Sequence, residues 1–344
     1  MLSRVADSIY WMGRYLERAE NLARFIGANL SLTLDVQMVL EEQWEPLLYA
    51  TGDYHFFHDR KTSTEYSAFL QKIKGELGDF NNSLVSQKVL ETRNEVIFFL
   101  SLEPQNPNSI LSCLEKARDN ARLVRGYIST EMWEQINKLY YYIRKSDTQF
   151  MLFKDPLNFF QELRMSLYTL VGLTEATFQR DDGWCFQQLG MYLERADKTT
   201  RILDVKYFIL LPKLGHVGSV IDDMLWAALL QSVSGFQTFK QKYQEVLPAA
   251  VVEFLLLDRK FPRSVLFCLK SAEECLNQIS STQPGSFSNS AEQKIGRLRN
   301  QLEYSSVDEI IISGLHEYLE DIKRQLNHIS TDIYQVFIKF LEEN

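Results

Sequence analysis

Residues 15–24 read Tyr-Leu-Glu-Arg-Ala-Glu-Asn-Leu-Ala-Arg, and residues 192–201 read Tyr-Leu-Glu-Arg-Ala-Asp-Lys-Thr-Thr-Arg, 177 residues later. Around the first copy, Leu2, Val5, Ile9, Met12, Leu16, Ala19, Ala23, Ile26 and Leu30 recur in steps of three and four. That spacing predicts one long helix from near Ser3 to beyond Asp35, with a single apolar stripe facing a core. A repeated apolar spacing is ordinary in a helical protein. A Glu-Arg pair repeated at one register of it is less so, because charged side chains belong on flexible, solvated surface unless something fixes them.

A second match follows the first in each half. Asn106-Pro-Asn-Ser-Ile-Leu-Ser-Cys-Leu-Glu-Lys-Ala117 answers Phe261-Pro-Arg-Ser-Val-Leu-Phe-Cys-Leu-Lys-Ser-Ala272 at an offset of 155. Ser109 aligns with Ser264, Cys113 with Cys268 and Ala117 with Ala272. Two different segments repeated in the same order argue for a duplicated helical unit. The offsets differ by 22 residues, which fits an insertion in the first half around 45–80. The expected fold is therefore all-α: an elongated helical bundle built from two diverged, pseudo-twofold-related repeats. They span approximately 1–150 and 180–330 within one continuous domain, 1–344.

Composition agrees with that class. Among 344 residues there are 15 Gly and 8 Pro, too few for a turn-rich all-β chain. With 45 acidic against 37 basic residues the net charge is −8, which does not favour a sequence-independent nucleic-acid binder. Arg4, Asp7, Arg14, Glu17 and Arg18 interrupt the first helix, so no signal peptide is expected there. The apolar runs 96–102, 225–230 and 249–257 are too short to span a bilayer. Cys113, Cys185, Cys268 and Cys275 have no two-residue pair spacing, which suggests reduced, packed thiols in a cytoplasmic protein.

Further along the chain, residues 51–64 read as a polar connection, with helical patterning over 65–77 and 81–100. The break at 103–109 offers Asn108 or Ser109 as cap for a helix over 110–128. Helices follow from Thr130 to Arg144, from Pro156, and over 184–210. Pro212 to Gly218 reads as a turn, Pro248 as a boundary and Pro262 as the opening of another helix. After the Ser-rich stretch 280–290, closing helices are expected over 291–304 and 306–342.

Candidate site residues come from the charged strips. At about 100° per residue, Tyr10, Arg14, Glu17, Glu20, Asn21 and Arg24 form a polar band beside the apolar face of the first helix, with Arg18 somewhat apart. By spacing alone Glu17 reaches both Asn21 and Arg14, and Glu20 can pair with Arg24. The same strip recurs as Glu194, Arg195, Asp197 and Arg201. Three readings stay open: a structural network between helices, a contact for a small anion or acidic ligand, and direct catalysis. The copies are unequal, since Arg14 aligns with Met191, Tyr10 with Gln187 and Asn21 with Lys198. Arg118, Arg122 and Arg125 share a face of the 110–128 helix, where they could lace a surface or meet the Glu17 strip. His55 and His58 sit in a stretch read as loop without a third ligand, so no metal site is predicted.

The chain resembles the alpha-E family of bacterial all-helical proteins, a domain of unknown function with a Glu-Arg signature. The resemblance rests on residues 1–20, Met-Leu-Ser-Arg-Val-Ala-Asp-Ser-Ile-Tyr-Trp-Met-Gly-Arg-Tyr-Leu-Glu-Arg-Ala-Glu. It continues in Asn106-Pro-Asn-Ser-Ile110, in 117–125 and 131–137, in Leu189-Gly-Met-Tyr-Leu-Glu-Arg-Ala-Asp197 and in Asp258-Arg-Lys-Phe-Pro-Arg-Ser-Val265. Matching signature positions are Arg14, Glu17, Arg18, Glu20, Arg24, Arg118, Asn120, Arg122, Arg125, Glu194, Arg195, Asp197, Arg201, Asp258, Arg263 and Ser264. Met191 departs from the Arg common after the glycine, and Glu103 replaces a common Asp. The resemblance implies a peptide- or amide-bond-forming context. Its expected partners are a circularly permuted ATP-grasp protein and a transglutaminase-like protein, with a peptide as substrate. ATP and Mg would then belong to the ATP-grasp partner, and no cofactor is expected on this chain. It has no Walker-type glycine loop and no nucleophile constellation. A non-catalytic binding or scaffolding role is therefore the first expectation. The alternative is an enzyme whose Glu/Arg cluster holds an acidic peptide or phosphate during amide chemistry.

Overall fold

A computed structural model describes residues 1–35, 44–59, 67, 87–145, 151–208 and 220–339. Every regular element among them is helical, and the chain forms an elongated all-α bundle. In order these are α1 (Ser3–Asp35), α2 (Glu45–Thr51), α3 (Tyr54–Asp59), α4 (Gln87–Ser101), α5 (Ile110–Leu123), α6 (Thr130–Arg144) and α7 (Pro156–Thr177). They continue with α8 (Asp182–Phe208), α9 (Val220–Ser232), α10 (Phe236–Lys242), α11 (Pro248–Leu257) and α12 (Val265–Ser280). Last come α13 (Ser290–Tyr304), α14 (Val307–Ile312), α15 (Leu315–Ile333) and a π-helical turn, Tyr334–Ile338.

The two long helices that carry the repeated segment, α1 and α8, pack against each other at the centre. Helices α5 and α7 lie on α1, while α12 and α15 lie on α8. The α1 stripe of Ile9, Met12, Ala19, Ala23 and Ile26 is fully buried, as its spacing requires. Where α1 crosses α8, the backbones touch. A Cβ built on Gly13 would lie 2.4 Å from the Gln187 carbonyl oxygen, and one on Gly190 would lie 2.3 Å from that of Tyr10. Any side chain at either position would hold the helices apart.

Both Ser-led segments begin helices for the same reason. Ser109 Oγ accepts from the Ser112 amide and Ser264 Oγ from the Phe267 amide, each satisfying an otherwise orphaned donor of the first turn. Pro262 therefore lies in the turn before α12 and does not open the helix. Other boundaries also differ from expectation. Residues 54–59 form α3 and not a loop, just after Gly52 at φ +84 ends α2. Helix α5 stops at Leu123, five residues early, and the turn to Ser129 lets Ser129 cap α6. The expected 306–342 helix is cut at Gly314, whose φ of +95 no helix accommodates. The predicted helix over 65–77 apart from residue 67, the 81–86 start of the predicted 81–100 helix, and the turn 212–218 lie outside the described residues. Among the described residues no helix is long and apolar enough to cross a membrane.

Candidate functional site

The α1–α8 contact places the two Glu-Arg copies face to face, and each Arg crosses to the other copy's Glu. Arg18 donates to both oxygens of Glu194, from Nε at 2.7 Å and from its terminal nitrogen at 3.0 Å. Arg195 does the same to Glu17, at 2.9 and 2.8 Å. The planar guanidinium fork matches a carboxylate, so each pair fixes both position and orientation. Sequence spacing assigned Arg14 to Glu17. Instead it crosses to Glu194 at 2.7 Å and also donates to Tyr10 and Ser330, because the α1–α8 contact brings a nearer carboxylate than its own helix offers.

Glu17 takes a second cation from outside both copies. Arg263, in the turn before α12, donates to Glu17 at 2.8 Å and to Glu20 at 3.1 Å. Its counterpart in the first half is Asn108, which accepts from Arg18 at 2.7 Å and donates to Asp53 at 2.8 Å. Glu20 and Arg24 pair at 3.3 Å, as Asp197 and Arg201 do at 2.9 Å. Arg24 also donates to Asn21, and Lys198 stands between Glu194 and Asp197. Thr199 ties α8 to the same α12 turn by donating to the Arg263 carbonyl.

The site is dry. The side chain of Glu194 is 0% exposed and that of Glu17 is 3%. Burial alone would push Glu17 up, but Arg195 and Arg263 outweigh it and bring the carboxyl down to about 2. Burial also opposes ionisation of Glu194, and Arg18, Arg14 and Lys198 hold it well below the usual carboxylate range. Both are ionised at neutral pH and stay so through mild acid. Because the native value of Glu17 lies below its ordinary 4.5, its stabilisation is complete above pH 4.5 and is lost as pH falls towards about 2. Urea melts are expected to show a steady midpoint from neutrality down to that window and a falling one within it. A midpoint that stays flat through the window would contradict the assignment.

Other sequence candidates lie outside this centre. Arg118 does not reach the Glu17 strip. It donates to Asn137 at 2.7 Å and stacks on the Tyr140 ring at 4.7 Å, because α5 turns that face towards α6. Arg125 stacks on Trp133, Arg122 is exposed, and Asn120 donates to the Lys116 carbonyl. Asp258 accepts from the amides of Lys260 and Phe261 and from Lys242, which shapes the loop before α12. Ser264 is the α12 cap and also donates to the Asp258 carbonyl. The Cys113 and Cys268 thiols are both pushed up to about 12 by burial, which leaves them poor nucleophiles.

The sequence reading missed one cluster. Asp204 on α8 meets His316 at 2.7 Å and Lys323 at 2.8 Å on α15, with Glu320 beside them. No local spacing links His316 to its partner, which lies 112 residues away in the chain. Asp204, His316 and Glu320 could ligate a metal, yet the Lys323 ammonium already bonds both carboxylates and supplies the cation there.

Residues 1–338 match a family described as a predicted alpha-helical domain with a conserved ER motif. The chain belongs to the Alpha-E family. Here the Glu-Arg pair occurs twice, at Glu17-Arg18 and Glu194-Arg195, and the two occurrences bind each other. Uncharacterized proteins of Mycobacterium bovis and Mycobacterium tuberculosis are similar, each 23% identical over 346 residues. The match covers 93% of this Alpha-E chain and 36% of each relative, so the chain spans about a third of their length. No solved structure shows a significant match to it.

Proposed function

We propose that this Alpha-E chain is a non-catalytic helical binding or scaffolding component that works beside an ATP-grasp-type enzyme in peptide- or amide-bond formation. The observation that carries the non-catalytic part is the state of the two motif carboxylates. Each is buried, gripped by two nitrogens of one guanidinium and contacted by a second guanidinium. A general acid or base needs a pKa near the working pH and a free lone pair aimed at substrate. Glu17 and Glu194 have neither property, and the buried Cys113 and Cys268 thiols add no nucleophile.

The ATP-grasp, transglutaminase-like and peptide context rests on the resemblance set out above. The relatives' greater length supports a unit that acts next to further protein. We also read the fold as two pseudo-twofold repeats, supported by the reciprocal contacts at fixed offsets. Glu17 and Arg18 exchange roles with Glu194 and Arg195, Gly13 with Gly190, and Ser109 with Ser264. A cytoplasmic location fits the four free, buried cysteines.

ATP turnover and peptide modification should be measured with the purified chain, with an ATP-grasp neighbour, and with both. The expected result is no turnover by the chain alone and a higher rate from the mixture than from the neighbour. Turnover by the chain alone would overthrow the proposal.

A further inference from the structure

Arginines also gather away from the central joint, along the seam between α5 and α6. Arg118, Arg122 and Arg125 follow one another in steps of four and three, so they stand in a row along α5 and the turn after it. Rings of α6 hold two of them in place. Arg118 lies over Tyr140 at 4.7 Å and Tyr141 at 5.5 Å, and Arg125 lies over Trp133 at 5.3 Å. Stacking occupies the flat face of a guanidinium and leaves its N–H edge for another partner. Arg118 spends part of that edge on the neutral Asn137. Arg122 and Arg125 are exposed, and among the described residues none of the three pairs with a carboxylate. The nearby Glu115 is taken by Arg144 at 3.5 Å, while Asp119, Glu131 and Glu134 are exposed and bind none of the row. At the α1–α8 joint every motif arginine has its carboxylate; here three arginines are held in position without one.

We propose that this row is a docking surface for an acidic segment of a protein partner, whose carboxylates accept from the free guanidinium edges. The inference deepens the reading of the chain as a binding component and rests on it for the partner being a protein. Charge complementarity carries it: fixed, unpaired arginines call for carboxylates, and the fork geometry is the one Arg18 and Arg195 already use within the chain. Spacing agrees. Arg118 and Arg122 are about 6 Å apart along the helix, close to the separation of acids four residues apart on a helix or two apart on an extended strand. Composition agrees as well, since Arg, Trp and Tyr are the side chains that dominate binding energy at protein interfaces. The Tyr141 ring is 53% exposed and offers apolar surface beside the row. A nucleic-acid strand fits less well, because its phosphates continue past three arginines onto a chain whose net charge is −8.

The test titrates the purified full chain, by fluorescence anisotropy at low salt, with a dye-labelled Glu-Asp-Glu-Leu-Glu-Asp amide. Its controls are the same peptide with Gln and Asn at the acidic positions and a thymidine oligonucleotide of equal residue number. The acidic peptide should bind about 10-fold or more tighter than its amide analogue, and the affinity should fall as salt is raised. Reversing two charges of the row together, Arg122→Glu with Arg125→Glu, should weaken binding about 10-fold or more. Both residues are exposed, so the fold should survive, and an unchanged thermal midpoint checks this. Arg297→Glu, the same change at an exposed arginine of α13, should leave binding unaltered. Equal binding of the acidic and amide peptides, an equal loss from Arg297→Glu, or unchanged binding by the folded double variant would overturn the proposal. An oligonucleotide that binds as tightly as the peptide would overturn it too, in favour of nucleic acid. Because no turnover is measured and no ATP-grasp protein is present, failure here leaves the non-catalytic reading standing. Turnover by the chain alone would sink that reading and leave this binding result intact.

Discussion

Replacing Glu194 by Gln is expected to destabilise the protein by about 3–5 kcal/mol, the range found when one member of a buried ion pair is removed. The reason lies in what remains. Arg14 and Arg18 both direct Nε at this carboxylate, and the Glu194 side chain has no exposure through which water could replace it. An amide of the same shape accepts with one oxygen only and leaves two guanidinium charges uncompensated in a largely buried interface. For a chain of this length the midpoint of thermal unfolding should fall by roughly 5 °C. Removing Arg180, whose pair with Glu175 is about half exposed on both sides, should change stability by less than about 1 kcal/mol. Equal small effects from the two changes, read from urea melts, would show that the central pairs carry no more weight than surface ones.

Gly13→Ala should be as damaging without touching a charge. Its Cβ would lie 2.4 Å from the Gln187 carbonyl, and Gly190→Ala would meet Tyr10 in the same way at 2.3 Å. Both obstacles are backbone, so relief requires α1 and α8 to separate. That would stretch the crossed Arg18–Glu194 and Arg195–Glu17 bonds together. A cost of about 3 kcal/mol or more follows, at or above the upper end for overpacked interiors. Gly172 on α7 is the control, because a Cβ there meets nothing within 4 Å. Gly172→Ala should stabilise by up to about 1 kcal/mol through helix propensity. Tolerance of alanine at both Gly13 and Gly190 would mean that the helices do not touch as described.

What the sequence made legible was whatever one helix determines by itself. The apolar stripe of α1 from Ile9 to Leu30, the Ser109 cap of α5 and the Glu20–Arg24 pair all follow from local spacing, and each is found. Cross-helix partners do not follow from spacing. Arg14 could have met Glu17 three residues along α1, and only the packing of α8 sends it to Glu194. Arg118 was likewise free to face either neighbour, and α6 claims it. One signal was present and unused. Gly13 and Gly190 stand at the same 177-residue offset as the Glu-Arg pairs, inside helical patterns where glycine is costly. A glycine repeated in that register marks a close helix crossing. The Met191 departure was legible too, and Met191 lines a cavity beside Glu17.

The claim at the centre of this account is that the Glu-Arg pairs are a locked structural joint and not a proton-transferring site. Carbon NMR of the protein carrying labelled glutamate carboxyls would read this directly, with Glu17→Gln and Glu194→Gln used to assign the signals. Both carboxyls should keep their ionised shifts from about pH 8 down to about pH 5. A Glu17 or Glu194 signal that titrates within that range, where general acids and bases operate, would contradict the account.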